Sequence, residues 1–350
     1  MSHLRQLGIP SLVRVKAGAL DRLGIYLRRQ ALGGCAILFS HDLNTSLRDR
    51  LDAALSGENI RVMQSVPIDQ ASLELTVRLF RDLPAGVSAI VGMGGGKALD
   101  AAKHVAFLAG LPYVAVPTSL SNDGFASPQS SLTIDRRRRS VPSAMPAGVV
   151  VDTQVCLEAP RVLWLSGVGD LVAKFTAVKD WKMAFHARGT PVDDFAALLS
   201  DATVFQFIAR PVHDLEGMKR LGMALLLNGI AMAVCGSSRP ASGSEHLISH
   251  ALDEITARPR LHGLQVGIAS YIVSLLQGEN TQHIAGLFAA TGFWDAVAAD
   301  PFSRGEWMEA ARRAPDIKPD FYTVLSSRDC VPEIERIVRT DPLLAPCFVD

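Results

Sequence analysis

Val91–Gly110 reads VGMGGGKALDAAKHVAFLAG. An apolar, strand-like run ends at Met93, four glycines fall within the five positions 92–96, and a helical stretch starts near Lys97. Glycine lets backbone N–H groups approach a ligand and tolerates positive φ. A helix N-terminus adds unpaired N–H groups and a partial positive charge, so strand, glycines and helix together make an anion site suited to a diphosphate. The stretch fits neither G-x-G-x-x-G, since Lys97 holds the sixth position, nor G-x-x-x-x-G-K-[ST], since Ala98 follows Lys97. It also follows at least two earlier strands, whereas the dinucleotide fingerprint ordinarily follows the first.

Working outward, short apolar runs at CAILFS (Cys35–Ser40), IRVMQSV (Ile60–Val66), VSAIVGM (Val87–Met93) and YVAVPT (Tyr113–Thr118) alternate with helical stretches. That alternation predicts a parallel sheet with crossover helices. The segment Ser130–Thr153 reads as a hairpin or a pair of irregular strands, and its basic run Arg136–Arg139 as a solvated tip rather than a phosphate patch. Beyond Pro160 the texture changes to long amphipathic segments, such as DLVAKFTAVKDWKMAFHAR and RLGMALLLNGIAMAV. The expected organisation is an α/β, Rossmann-like domain over 1–160 and an all-α domain over 161–350.

Composition narrows the function classes. Lys+Arg and Asp+Glu number 35 each, and this balance argues against a nucleic-acid binder. No apolar run reaches the length of a membrane span. MSHLRQLGIP lacks the apolar core of a signal peptide. Five dispersed cysteines without a C-x-x-C pair fit a reducing compartment. The expectation is a cytoplasmic protein that binds no membrane or nucleic acid.

VAVPTSLSNDGFASP (Val114–Pro128) follows the next strand, and ligands of open α/β sheets sit beyond the carboxyl ends of strands. Thr118, Ser119, Ser121, Asn122, Asp123 and Ser127 would supply polar groups there, although Asn-Asp-Gly is also a good turn by itself. In the helical half, GVGD places Asp170 at the opening of a long helix, where an Asp is often only a cap. Ser242 and Glu245 have capping-box spacing. His246 and His250 lie four apart and share a helix face. Either both bind one metal, or one binds metal and the other meets the substrate. With His262, sixteen residues after His246, Asp170 and His246 would form an O,N,N set with an open position, as in a catalytic Zn²⁺ or Fe²⁺ site. His3, His41, His104, His186, His213 and His283 have no such context and read as surface or structural.

GMGGGKALDAAK, PTSLSNDGFASP, GVGDLVAKFTAVKDW, SGSEHLISHALD and LHGLQVG occur in this order. Together they resemble the sn-glycerol-1-phosphate dehydrogenases, within the superfamily of glycerol dehydrogenases, iron-dependent alcohol dehydrogenases and dehydroquinate synthases. The resemblance spans about residues 10–325 and implies the dehydroquinate synthase-like fold. It also implies NAD or NADP, one divalent metal (Zn, with Fe or Ni as alternatives) and reversible reduction of dihydroxyacetone phosphate. Gly94, Gly95, Gly96, Lys97 and Ala98, with Asp100 in the same stretch, would line the cofactor diphosphate. Thr118, Ser119, Ser121 and Ser127 would also touch the cofactor. Asp123 would contact the substrate, Asp170, His246 and His262 would bind the metal, and His250 would face the substrate as a catalytic group. Asp42, after the second strand, could meet the ribose and repel a 2′-phosphate, which favours NAD. Leu264 departs from the family, which usually has Glu after His-Gly, and the His246–His262 gap is slightly short. A homo-oligomer, dimer or higher, is expected. The alternatives are a dehydrogenase of another small polyol, polyol phosphate or aldehyde, a dehydroquinate-synthase-like cyclase, or a cofactor binder without turnover.

Overall fold

The computed structural model describes residues 8–350, which divide between Ala159 and Pro160 into two compact units. His3 lies outside the described residues. The first unit is built on six parallel strands: β1 (Leu12–Lys16), β2 (Gly34–Ser40), β3 (Arg61–Ile68), β4 (Ala89–Gly94), β5 (Tyr113–Pro117) and, after a hairpin, β8 (Gly148–Asp152). The central strands β4 and β5 are buried throughout, which is why they read as unbroken apolar runs instead of alternating ones. The hairpin strands β6 (Gln129–Ile134) and β7 (Arg137–Pro142) turn at Asp135 and Arg136, both with positive φ. Arg136–Arg139 is exposed, as a solvated tip should be.

Two strands escaped the sequence reading. β1 is short, with Arg14 and Lys16 interrupting its apolar residues, and β8 was read as part of the hairpin segment. Residue for residue the two pair with each other, Leu12 to Gly148 through Lys16 to Asp152. Such long-range pairing leaves no local signal.

The sheet order is β1-β8-β5-β4-β2-β3. The chain runs one way from β2 to β3 and the other way from β4 through β5 to β8. The direction therefore switches between β2 and β4, and in an open α/β sheet that crevice is where a ligand binds. Helices α1 (Leu23–Arg29), α2 (Thr45–Ser56), α3 (Leu73–Arg81), α4 (Gly96–Ala109) and α5 (Thr153–Glu158) complete the unit.

The second unit is helical. It contains α6 (Arg161–Arg188), α7 (Asp194–Ile208), α8 (Leu215–Cys235), α9 (Ser244–Ile255), α10 (His262–Gln277) and shorter helices up to Thr340. A parallel pair of two-residue strands, Phe302–Ser303 and Phe348–Val349, is its one departure from all-α among the described residues. By length and composition α8 could cross a membrane, contrary to the reading that no run reaches that length. Lys219, Arg220 and Asn228 interrupt the run and hid it from that count. The helix is mostly buried within the structure, and Asn228 accepts a hydrogen bond from Thr203 Oγ1 at 3.1 Å, as in a core helix.

Candidate active site

The glycine loop is fixed from both sides. Gly95 N donates to Ser40 Oγ at the end of β2 (3.0 Å), and Thr118 N donates to Gly94 O (3.2 Å). Gly94 has φ +130°, and a Cβ there would collide with the Ser40 side chain. This glycine is therefore required by the fold. Gly95 and Gly96 differ. A Cβ on Gly95 would come no nearer than 3.9 Å to Ser40 Oγ, and one on Gly96 would meet nothing within 4 Å. Because Gly95 N is already committed, the amides that open α4 at Gly96, Lys97 and Ala98 are the ones left without intrahelical acceptors. A cradle of backbone donors kept open by missing side chains fits a dinucleotide diphosphate. Asp42 lies in the turn two residues beyond β2, the strand that borders β4 at the switch point, and its side chain is exposed.

Two residues expected at the cofactor make buried contacts within the unit. The Asp100 carboxylate is buried against Lys103 (Oδ1–Nζ 3.2 Å). Ser127 is buried too, its hydroxyl donating to Gln129 O at 3.0 Å. Lys103, which sequence reasoning missed, is wholly buried and donates to Gly124 O and Gln129 O, both at 2.5 Å, and reaches Ser127 Oγ at 3.5 Å. Burial pulls the Lys103 pKa below its ordinary value and pushes that of Asp100 up, with each partner opposing the other's shift. The pair ties α4 to the loop that carries Asn122 and Asp123. Within that loop Asn122 Oδ1 accepts from Gly124 N at 2.9 Å, the turn expected of Asn-Asp-Gly. Thr118, Ser119, Ser121 and Asp123 are half-buried on the same segment. The D-x-x-K spacing, one helical turn, was the available signal for Lys103.

In the helical unit, Asp170 does not open a helix. It sits ten positions into α6, and Gly167 and Gly169 before it are helical. Their smallness serves packing. A Cβ on Gly169 would overlap the Gly263 carbonyl, and one on Gly263 would overlap that of Ser166. Gly263 N in turn donates to Ser166 Oγ at 3.1 Å. The close approach of α6 and α10 brings His262 to Asp170, with Nε2 3.8 Å from Oδ1. His246 arrives from α9, its Nε2 3.6 Å from the same oxygen. One donor atom from each of the three residues lies within 4.8 Å of the others, a spacing that one ion could fill.

Supporting contacts orient both imidazoles. His246 Nδ1 lies 2.8 Å from Glu245 Oε1, and a carboxylate can only accept, so the ring proton sits on Nδ1 and Nε2 faces Asp170 as a donor to metal. His262 Nδ1 meets Ser249 Oγ at 3.2 Å. The expected Ser242–Glu245 capping box is absent. Gly243 is the N-cap, and Glu245 turns to His246, Thr176 Oγ1 (2.8 Å) and Gly243 N (2.5 Å). Asp180 holds the helix start instead, accepting from Ser244 N at 2.8 Å. Burial, reinforced by Glu245, pushes its carboxyl up to about 6. For Asp170, burial works upward, but Lys174 and the two histidines outweigh it and hold the carboxyl well below the usual range. Lys174, also missed, is fully buried and donates to Asp170 O at 2.9 Å. The ring centroid of His250 is 6.3 Å from that of His246 and 5.9 Å from that of His262, so all three imidazoles cluster. Leu264 is buried, leaving an apolar side chain two residues past His262. Elsewhere His104 bonds Ser143 Oγ (3.1 Å), His213 packs on Trp164 and His283 on Phe175, in line with structural roles.

The iron-containing alcohol dehydrogenase family profile matches residues 14–160. Glycerol-1-phosphate dehydrogenase [NAD(P)+] of Aeropyrum pernix is 34% identical, over 93% of this chain and 95% of that one. The chain belongs to the glycerol-1-phosphate dehydrogenase family. The Methanothermobacter thermautotrophicus glycerol-1-phosphate dehydrogenase is 33% identical, over 96% of this chain and 98% of its own. Glycerol dehydrogenase from Schizosaccharomyces pombe shares the fold, with a TM-score of 0.76 at 18% identity, over 95% of this chain and 91% of that one. The family membership agrees with the resemblance carried by the glycine loop and the SNDG loop.

Proposed function

We propose that this chain is an NAD(P)-dependent oxidoreductase that reversibly reduces dihydroxyacetone phosphate to sn-glycerol 1-phosphate, with a divalent metal held by Asp170, His246 and His262. The observation that carries the metal assignment is the convergence of one carboxylate and two oriented imidazoles, in a chain whose relatives at 30–40% identity are glycerol-1-phosphate dehydrogenases. An O,N,N set with a supported second layer suits Zn²⁺, and also Fe²⁺ or Ni²⁺. When bound, such an ion supplies a Lewis acid for the substrate carbonyl.

The protein's own groups do the rest. Glu245 keeps His246 Nε2 turned inward, and Ser249 steadies His262. The first-turn amides of α4 hold the cofactor diphosphate. Asp123 contacts the substrate from the loop that Lys103 anchors. His250 moves a proton through an imidazole nitrogen, a group that titrates near neutrality.

The test is NADH and NADPH oxidation by enzyme loaded with Zn²⁺, Fe²⁺ or Ni²⁺, over dihydroxyacetone phosphate, dihydroxyacetone and other small ketones and aldehydes. Turnover should be highest with dihydroxyacetone phosphate, and the product should be refused by a glycerol-3-phosphate dehydrogenase. Preference for an unphosphorylated ketone would replace the substrate assignment. Substrate conversion without net NADH consumption would point to cyclase-type chemistry.

A further inference from the structure

The two imidazoles beside Asp170 are supported differently. His246 Nδ1 meets a carboxylate, Glu245 Oε1, at 2.8 Å, whereas His262 Nδ1 meets a neutral hydroxyl, Ser249 Oγ, at 3.2 Å. A carboxylate only accepts, so it fixes the ring proton. A hydroxyl donates or accepts, and by itself fixes neither the ring proton nor its own direction. Ser249 is held in turn by Gln265, one helical turn after His262 on α10. Gln265 Nε2 lies 3.2 Å from Ser249 Oγ, 3.1 Å from Ser249 O and 3.1 Å from Asp253 Oδ1. Ser249 and Gln265 are buried, and Asp253, one turn further along α9, is half-buried.

The chemistry of these atoms sets the direction of the amide. A backbone carbonyl and an ionised carboxylate only accept, so the nitrogen end of Gln265 must face them. Its two hydrogens are shared between Asp253 and the two oxygens of Ser249. A tie between α9 and α10 would need no more than the bond to Ser249 O. The bond to Ser249 Oγ adds a donor at the atom that meets His262. A neutral imidazole that offers Nε2 to an ion carries its proton on Nδ1, and here it donates that proton to Ser249 Oγ. With Gln265 on one lone pair and His262 on the other, the hydroxyl is locked and its own hydrogen points away from the ring. Given a metal at Asp170, His246 and His262, we propose that Gln265 is a positioning residue for His262. Anchored by Asp253, it fixes Ser249 as the acceptor that orients the imidazole toward the ion.

Zn²⁺ affinity of the full-length protein, stripped of metal and read by chelator competition, tests this role. The wild type should bind Zn²⁺ stoichiometrically. Ser249→Ala should weaken binding by about tenfold to 100-fold, the usual loss for the partner of a ligating histidine, and Gln265→Met by about tenfold. Gln265→Met keeps the length of the side chain and removes its donors. In the Ser249→Ala background the same change should cost less than about twofold, because Gln265 acts through Ser249. With Co²⁺ in place of Zn²⁺, the visible absorption bands of Gln265→Met should shift, which a loss of stability alone does not produce. Asp253→Asn keeps an acceptor oxygen and should stay within about threefold of wild type, while Asp253→Leu should follow Gln265→Met. Should Gln265→Met fail to fold, Asp253→Leu carries the same comparison with and without Ser249. Wild-type Zn²⁺ affinity in the variant, or an equal loss with and without Ser249, would overturn the role of Gln265 alone. A wild type that binds no Zn²⁺ would overturn the metal reading and this role with it.

Discussion

Adjacent glycines in one loop serve different ends. Gly94 is held at φ +130° beside Ser40, so any side chain there is a folding defect. Gly95 has φ −85° and open space, so a side chain there burdens only whatever lies above the loop. Gly95→Val should leave the melting temperature within a few degrees and raise the Kd for NADH by about tenfold or more, as fluorescence titration would show. Unchanged NADH binding would remove the cradle from the site. Asp42 offers a second contrast. Its exposed carboxylate would repel a 2′-phosphate by about 1 kcal/mol at partly solvated distances. Asp42→Ser should therefore raise the NADPH-to-NADH ratio of kcat/KM by roughly fivefold to tenfold, mainly through KM. The strand, glycine loop and helix that carry these glycines were legible in the sequence. The buried contacts of Asp100 and Ser127 were not, because spacing along a chain does not say which way a buried polar group turns.

At the scale of elements, the Asp170–His246–His262 cluster depends on how closely α6 and α10 approach. Gly169 and Gly263 permit that approach, since either would overlap a carbonyl of the other helix if it carried a Cβ. Gly263→Ala must push the helices apart or strain them, at a cost of about 1–3 kcal/mol. The expected result is a drop of several degrees in melting temperature, together with weaker metal binding because His262 is next in the chain. Wild-type metal affinity in a destabilised Gly263→Ala protein would separate the two effects and count against the coupling. The sequence reading placed a helix start at GVGD because glycine weakens isolated helices. Tertiary packing overrode that propensity, and a 28-residue helix runs through the motif. Likewise, Glu245 had capping-box spacing, but its carboxylate accepts from His246 Nδ1, Thr176 Oγ1 and Gly243 N.

For the whole molecule, the alternating α/β half and the helical half were readable from periodicity, since each pattern persists over many residues. Missing were β1 and the sheet membership of β8, a pairing across more than a hundred residues. The proposed metal site predicts a global signature of its own. A ligand that binds only the folded state stabilises it by mass action, about 4 kcal/mol at a thousand times Kd. Chelation should lower the melting temperature by several degrees, and added Zn²⁺ should restore it. Asp170→Ala should respond to neither treatment. A chelator-insensitive wild type that is fully active would reject the metal reading.

Lys103 is surrounded by oxygens: two backbone carbonyls, a carboxylate and a hydroxyl. A shell of oxygens of this kind can instead be filled by a sodium or potassium ion from solution. Here the counter-ion is covalently part of α4 and sealed from solvent. Salt screens exposed charges far more than buried ones. The surface ion pairs of this protein, such as Arg28–Glu58, should loosen as ionic strength rises. The loop bearing Asp123 carries its own cation, so its order draws nothing from the surrounding electrolyte.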